Sequence, residues 1–270
     1  MKKTRIISYS IIIVLLIILA VVYFGKQKTT TQKDAFQSEL KTKGKLTIGL
    51  EGTYSPYSYR KDGKLTGFEV EMGRAVAKEM GVKANFVPTK WDSLVAGLGS
   101  QKYDVVLNNI SQTPARKKVY KFSDPYIYSK YVMITPENSD LAHLKDISGK
   151  KFAEGTGTNN EQVAKKYNAK LVSSGDFTTT LSLIRTGRAE GTINAAEAWY
   201  AYKKDNATDG LKYKDVSDEI DPVKISAMFN KKDPKTRAKF NKALATIRED
   251  GTLKELSNKY FGEDITKEQN

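Results

Sequence analysis

The 270-residue sequence has no cysteine and a single histidine, His143. Without cysteine there is no disulfide framework, no thiolate-bound zinc or iron–sulfur centre, no thiol nucleophile and no lipid-modified cysteine near the N-terminus. One histidine cannot form a His-rich metal cluster. Neither GxxxxGK nor GxGxxG occurs, so the loops that cradle nucleotides are missing too. No cofactor and no metal is expected. Acidic residues are outnumbered, 31 Asp and Glu against 45 Lys and Arg, which leaves a formal charge of +14. The excess cations beyond the N-terminal region are scattered among acids, which argues against a nucleic-acid surface; attraction to an anionic cell surface is the plainer consequence. With 39% apolar residues the chain can build a core, and its length suits roughly two domains.

Residues 1–43 hold eight cations and two acids, a net +6 that leaves +8 for residues 44–270. Lys2, Lys3 and Arg5 precede Ile6 to Phe24, a nineteen-residue stretch interrupted only by Ser8, Tyr9 and Ser10, and Lys26 and Lys28 follow. At about 1.5 Å rise per residue this length spans a bilayer. A secretory signal has the same charge order but a shorter apolar run and a small-residue cleavage site, and Leu19 to Gly25 gives no clear one. The segment reads as a signal anchor with its basic end in the cytoplasm and everything after Gly25 outside. Residues 26–43 then read as a flexible tether. The expected location is the extracytoplasmic cell surface, tethered to the membrane or secreted after cleavage.

From Leu46 onward strand and helix patterns alternate. Leu46, Ile48 and Leu50 alternate with Thr47 and Gly49, the period of a half-buried strand. Phe68, Met72, Val76 and Met80 recur every four residues, with Gly81 placed to end a helix. Val82, Ala84 and Phe86 alternate again; Asp92 is positioned to cap a helix carrying Leu94, Val95 and Leu98; Val105 to Leu107 is a short apolar run. The rhythm restarts after about residue 131, with strands at Lys151 to Ala153, Leu171 to Val172 and Gly191 to Asn194 and helices between and after them. Two successive βαβ sets predict two α/β lobes. Near the C-terminus, Asp233 and Pro234 predict a cap with proline at the first helical position, and Thr252 with Glu255 a capping box.

GKLTIGLEGTYSPYSY, GKLTGFEVEMGRAVAKEMG, PTKWDSLVAGLGSQKYDVVLNNISQTPARKKVYKFSDPY, DISGKKFAEGTGTNNE, GRAEGTIN and DGTLKELSNKYFG occur in that order, and together the chain over residues 44–264 resembles the family 3 extracellular solute-binding proteins of ABC importers for polar amino acids. EGTY followed by PTKWD is most similar to the cystine-binding subgroup. The resemblance implies a two-lobed, periplasmic-binding-protein-like α/β fold with two hinge strands and a ligand cleft between the lobes. Carried over, lobe one is residues 44–131 plus 226–270 and lobe two is 132–225, with crossovers near Tyr131 to Thr135 and Ile225 to Phe229. It also implies partners, an amino acid and the permease and ATPase subunits of the importer, and no catalysis.

An amino acid presents a carboxylate and an ammonium group, and removing both from water is costly unless each gains a partner. An arginine fork matches the carboxylate in two-point geometry. Arg116, in TPAR, matches the family's carboxylate-binding arginine; by composition alone, with Lys117 and Lys118 next to it, it would pass for a surface cation. Asn108, Asn109, Ser111 and Thr113 can orient the same carboxylate, or be turn residues. The GTGTNN turn precedes a helix, so its backbone amides could meet an anion, and the resemblance implies that Thr158, Asn159 and Asn160 close on the ligand. Tyr54 and Trp91 match positions where the family stacks rings on the ligand side chain, which suits a disulfide or thioether; core packing is the alternative for Trp91. Tyr57 and Tyr59 read as packing residues. Many family members carry an ammonium-binding aspartate where this chain has Ala195. Glu51 and Glu197 are the available carboxylates, with Glu51 favoured because it lies in EGTY.

The expected function is the substrate-binding component of an ABC importer for a polar L-amino acid, most of all cystine. The alternatives are an anchored adhesin or sensor and, less favoured, a dehydratase-type enzyme in which Glu51 acts as acid or base.

Overall fold

The computed structural model describes residues 35–221 and 223–268. The expected anchor, Ile6 to Phe24, lies outside the described residues, among which no helix is long and apolar enough to cross a membrane.

The first lobe opens with β1 (Lys45–Leu50), whose Leu46, Ile48 and Leu50 are fully buried. A hairpin of β2 (Tyr59–Lys61) and β3 (Lys64–Thr66) leads into α1 (Phe68–Met80). Gly67 enters that helix at φ 125°, and a Cβ there would lie 2.3 Å from the Tyr57 carbonyl oxygen, so the close approach excludes any side chain. Phe68, Met72, Val76 and Met80 form the buried stripe of α1, each side chain contributing about 1.5–3 kcal/mol by burial, and Gly81 ends it in the left-handed region. Next come β4 (Lys83–Pro88), α2 (Trp91–Gly99), β5 (Val105–Val106), α3 (Pro114–Val119), β6 (Lys121–Phe122) and β7 (Ile127–Ser129).

The second lobe contains β8 (Tyr131–Pro136), β9 (Lys151–Gly155), α4 (Asn159–Lys166), β10 (Lys170–Ser174), α5 (Phe177–Arg185), β11 (Thr192–Ala195), α6 (Ala196–Asp205) and β12 (Leu211–Asp215). The chain returns through β13 (Val223–Ile225) to β14 (Met228–Phe229), α7 (Pro234–Glu249) and α8 (Thr252–Phe261) in the first lobe.

The lobes share one strand plan. In the first, the order is β4-β1-β5-β14-β6, with β1 parallel to β4 and β5 and with β14 antiparallel to β5 and β6. In the second, β10 and β9 are parallel, a parallel bridge from Phe152 to Gly191 joins them to the start of β11, and β8 pairs antiparallel with β11 and β12. Each lobe thus presents three parallel strand ends on one side. Between the two sheets, β7 and β13 form an antiparallel ladder of their own, Ile127 opposite Ile225 and Ser129 opposite Val223.

Several sequence expectations are corrected here. Tyr131 to Thr135 belong to β8 inside the second lobe's sheet, so the first change of sheet comes earlier, at β7. Residues 35–43 are not a free tether. Phe36 and Leu40, 2% and 8% exposed, pack into the first lobe's core, because two apolar side chains four residues apart share a face of one helical turn. The Glu39 carboxylate accepts the Lys235 and Thr236 amides at 3.2 and 2.7 Å, capping α7. Asp233, the expected cap, makes no side-chain capping bond, although Pro234 does take the first position. Asp92 lies in the first turn of α2, after an N-cap at Lys90. Thr252 is the first residue of α8 after an N-cap at Gly251, so there is no capping box; its amide donates instead to Asp250 Oδ1 at 2.9 Å.

Candidate ligand-binding site

Glu51 follows β1 directly, Trp91 comes three residues after β4, and Asn108, Asn109 and Ser111 follow β5. Opposite them, Thr158, Asn159 and Asn160 follow β9, and Asp176 follows β10. All of these line one cavity of about 100 Å³ between the lobes, together with Tyr54, Arg116 and Tyr131. It lies at the carboxyl ends of parallel strands, where α/β sheets leave a crevice for ligands. One water needs about 10–15 Å³ on this measure, so the space suits a small organic solute.

In the first lobe, the Glu51 amide donates to Asn108 Oδ1 at 2.8 Å and Asn108 Nδ2 donates back to Glu51 Oε2 at 2.7 Å. This two-point hold fixes the carboxylate. Burial pushes its pKa up, the Asn108 bond opposes the rise, and the charges of Asp176 and Asp92 add to it. Asn109 adopts φ 48°, a conformation asparagine tolerates better than most residues, and its amide donates to the buried Glu69 at 2.7 Å. Burial raises Glu69 to about 7, against hydrogen bonds from Tyr126 and Asn109.

Arg116 lies in α3, which Thr113 caps by accepting the Arg116 amide at 3.3 Å. Thr113 therefore serves the helix and does not line this cavity. The guanidinium donates to Ser111 O at 3.1 Å and across the cleft to Gly157 O at 3.0 Å, and sits 5.4 Å from the centre of the Trp91 ring. Burial pulls its pKa below the usual guanidinium value.

In the second lobe, Thr158 caps α4 by accepting the Glu161 amide at 3.0 Å. The Gly157 amide is already occupied, donating to Glu161 Oε2 at 2.8 Å. The turn thus offers an incoming anion fewer backbone donors than its sequence suggests. Asn159 Nδ2 donates to the Tyr131 hydroxyl, whose pKa burial pushes up to about 12. Glu154, 3% exposed, accepts the Ile193 amide at 2.8 Å and the Thr192 hydroxyl at 3.2 Å, both on Oε1. Burial raises it to about 8 in spite of these bonds.

Among the described residues, three hydrogen bonds cross the cleft: Tyr54 Oη to Asn194 Oδ1 at 2.9 Å, Trp91 Nε1 to Thr156 O at 2.7 Å, and the Arg116 bond to Gly157 O. Tyr54 also meets Phe177 edge-on, with 6.5 Å between ring centres. The lobes are closed on one another.

Ten residues singled out in the sequence (Glu51, Tyr54, Trp91, Asn108, Asn109, Ser111, Arg116, Thr158, Asn159 and Asn160) line this cavity; Glu197 does not. Glu197 sits in the first turn of α6, buried beside Ser129 and the Tyr57 hydroxyl, and burial raises its pKa. Tyr57 is fully buried packing, as expected. Sequence reasoning missed Tyr131, Glu154, Asp176 and Phe177. The signal for Asp176 and Phe177 was the polar SSGD turn after a strand, the position that supplies the other lining residues.

A family model for bacterial extracellular solute-binding proteins, family 3, matches residues 46–263. A probable amino-acid ABC transporter-binding protein of Haemophilus influenzae is 38% identical over 223 residues, 82% of this chain and 86% of that protein. The L-cystine-binding protein TcyA of Bacillus subtilis is 38% identical over 233 residues, 85% of this chain and 86% of that protein. Among solved structures, the L-cystine solute receptor of Neisseria gonorrhoeae in its unliganded open conformation is 37% identical, with a TM-score of 0.58 over 87% of this chain and all of that one.

Proposed function

The chain belongs to the bacterial extracellular solute-binding proteins of family 3, and on that premise we propose that it captures L-cystine, or a related sulfur-containing amino acid, outside the cytoplasm for an ABC permease and its ATPase. The observation that carries the reading is Arg116. A half-buried guanidinium reaches both lobes in the cleft, where a ligand carboxylate would take over bonds now made to Ser111 O and Gly157 O. Tyr54, Trp91 and Phe177 supply rings for a polarizable disulfide. A ligand that touches both lobes favours the closed state over the open one, and its differential affinity is the drive for closure. In this reading one lobe is residues 35–126 with 226–268 and the other is 131–221, joined through β7 and β13. The membrane tether through Ile6 to Phe24 is part of this reading. Because the similar proteins carry binding and transport names, a binder is favoured over a dehydratase.

Calorimetry with L-cystine and the twenty common amino acids tests it. Saturable binding of one or a few, weakened at least about 30-fold by Arg116→Met, is the expected result, since losing one partner of a buried charge pair costs about 2–5 kcal/mol. Unchanged affinity in Arg116→Met would overturn the assignment of the carboxylate site.

A further inference from the structure

Arg116 answers one charge of an amino acid; the same cavity is also lined by carboxylates from both lobes. Glu51 comes from the first lobe, held on Oε2 by Asn108. Asp176 comes from the second, with Oδ1 accepting the Thr179 amide at 2.8 Å as the N-cap of α5. Both line the cavity, and the neighbours Tyr54 and Phe177 are in ring contact across the cleft. A third acceptor, Asn109 Oδ1, is buried in the same cavity with no hydrogen-bond donor among the described residues. Ala195, also in the lining, contributes no charge. Two carboxylates on opposing lobes repel when the cleft closes, and an orphaned buried acceptor is itself costly. A donor-rich cation between them relieves both. Glu154, largely protonated near neutral pH, adds little charge.

We infer that Glu51 and Asp176 hold the ligand's ammonium group between the two lobes, so that the protein selects ligands with a free amino group. Resting on the binding function proposed above, the inference assigns Asp176 a direct contact with the ligand and makes closure conditional on a cation.

The test compares Asp176→Asn with the unaltered full chain. Asparagine caps helices as well as aspartate does, so the variant keeps α5 and loses only the charge; thermal melting checks this, and Glu51→Gln serves as a second variant from the other lobe. Calorimetry uses the best bound among L-cystine and the common amino acids, together with the same molecule lacking its amino groups, which for cystine is 3,3′-dithiodipropionate. The expected result is a loss of about 10- to 100-fold for the amino acid in Asp176→Asn, the scale of a hydrogen bond to a charged group. The des-amino acid should bind both proteins equally weakly. Unchanged amino-acid affinity in Asp176→Asn, or an equal loss for both compounds, would overturn the inference while leaving the binding function intact. Failure of the unaltered protein to bind any amino acid would remove the function and this inference with it.

Discussion

At Glu51 and Glu197 the same side chain has two fates that local sequence does not distinguish. Each is a half-buried or buried carboxyl near the end of a strand, but only Glu51 lines the cavity, held by Asn108 from the neighbouring strand. Glu51→Gln should therefore weaken ligand binding more than Glu197→Gln, measured by calorimetry on both variants; the reverse order would move the ammonium site. Glu154 gives a prediction for the protein without ligand. Burial raises its folded pKa to about 8, above the ordinary carboxyl value of 4.5, so the folded state holds a proton that the unfolded state releases between those values. Its contribution to stability is fully present below about 4.5 and is lost as pH rises through 8. Glu154→Gln keeps an oxygen acceptor for the Ile193 amide without the ionisation. Melting temperatures of the ligand-free proteins should agree near pH 4.5 and favour the variant above pH 8, by several kcal/mol at about 1.4 kcal/mol per pKa unit. Arg116, inside α3, was legible only through the family resemblance of its TPAR context, whereas Glu51, Asn108 and Asn109 follow strand ends. Tyr131 and Glu154 were not, because a tyrosine or glutamate inside a strand pattern reads as packing or as an outward face until the partner lobe is in place.

Among the elements, alternation and four-residue spacing were enough to find β1, α1 and β4, although β1 is not the half-buried strand its alternation suggests: it lies inside the sheet and is buried on both faces from Leu46 to Leu50. The helix starts were less legible, because a cap can come from a remote part of the chain. The α7 amides are taken by Glu39, 197 residues away from Thr236, and no local pattern announces that. Phe36 and Leu40 carried the only hint, two apolar residues in a polar stretch. Loss of this docked turn should be measurable. Glu39→Ala should cost about 0.5–2 kcal/mol, as for other lost caps, and Phe36→Ala about 3–5 kcal/mol, as for a large buried ring. Urea unfolding of both variants checks this. A segment that is only a tether would leave the midpoints unchanged.

For the molecule as a whole, the repeated strand plan puts two sets of parallel strand ends face to face, with β7 and β13 as the connection between them. Closure then depends on what bridges the gap. Of the three cross-cleft hydrogen bonds, the one from Trp91 Nε1 to Thr156 O can be removed while an aromatic ring is kept against Arg116. Trp91→Phe removes one donor and leaves the carbonyl able to find water as the lobes part. A net hydrogen bond of about 0.5–1.5 kcal/mol acting only in the closed state shifts the closed–open equilibrium by roughly 2- to 10-fold. Ligand affinity should fall by up to that factor, since only the closed form grips the ligand from both sides. The loss should be smaller than for Arg116→Met, because phenylalanine keeps a ring against the ligand whereas methionine removes the partner of its carboxylate. Small-angle scattering at saturating ligand should return Trp91→Phe to the same compact radius as the unaltered protein, because enough ligand restores the closed population. Equal affinity of the two proteins would mean that the Trp91 bond persists, or is replaced, when the cleft opens, and closure would then rest on the Tyr54 and Arg116 contacts alone.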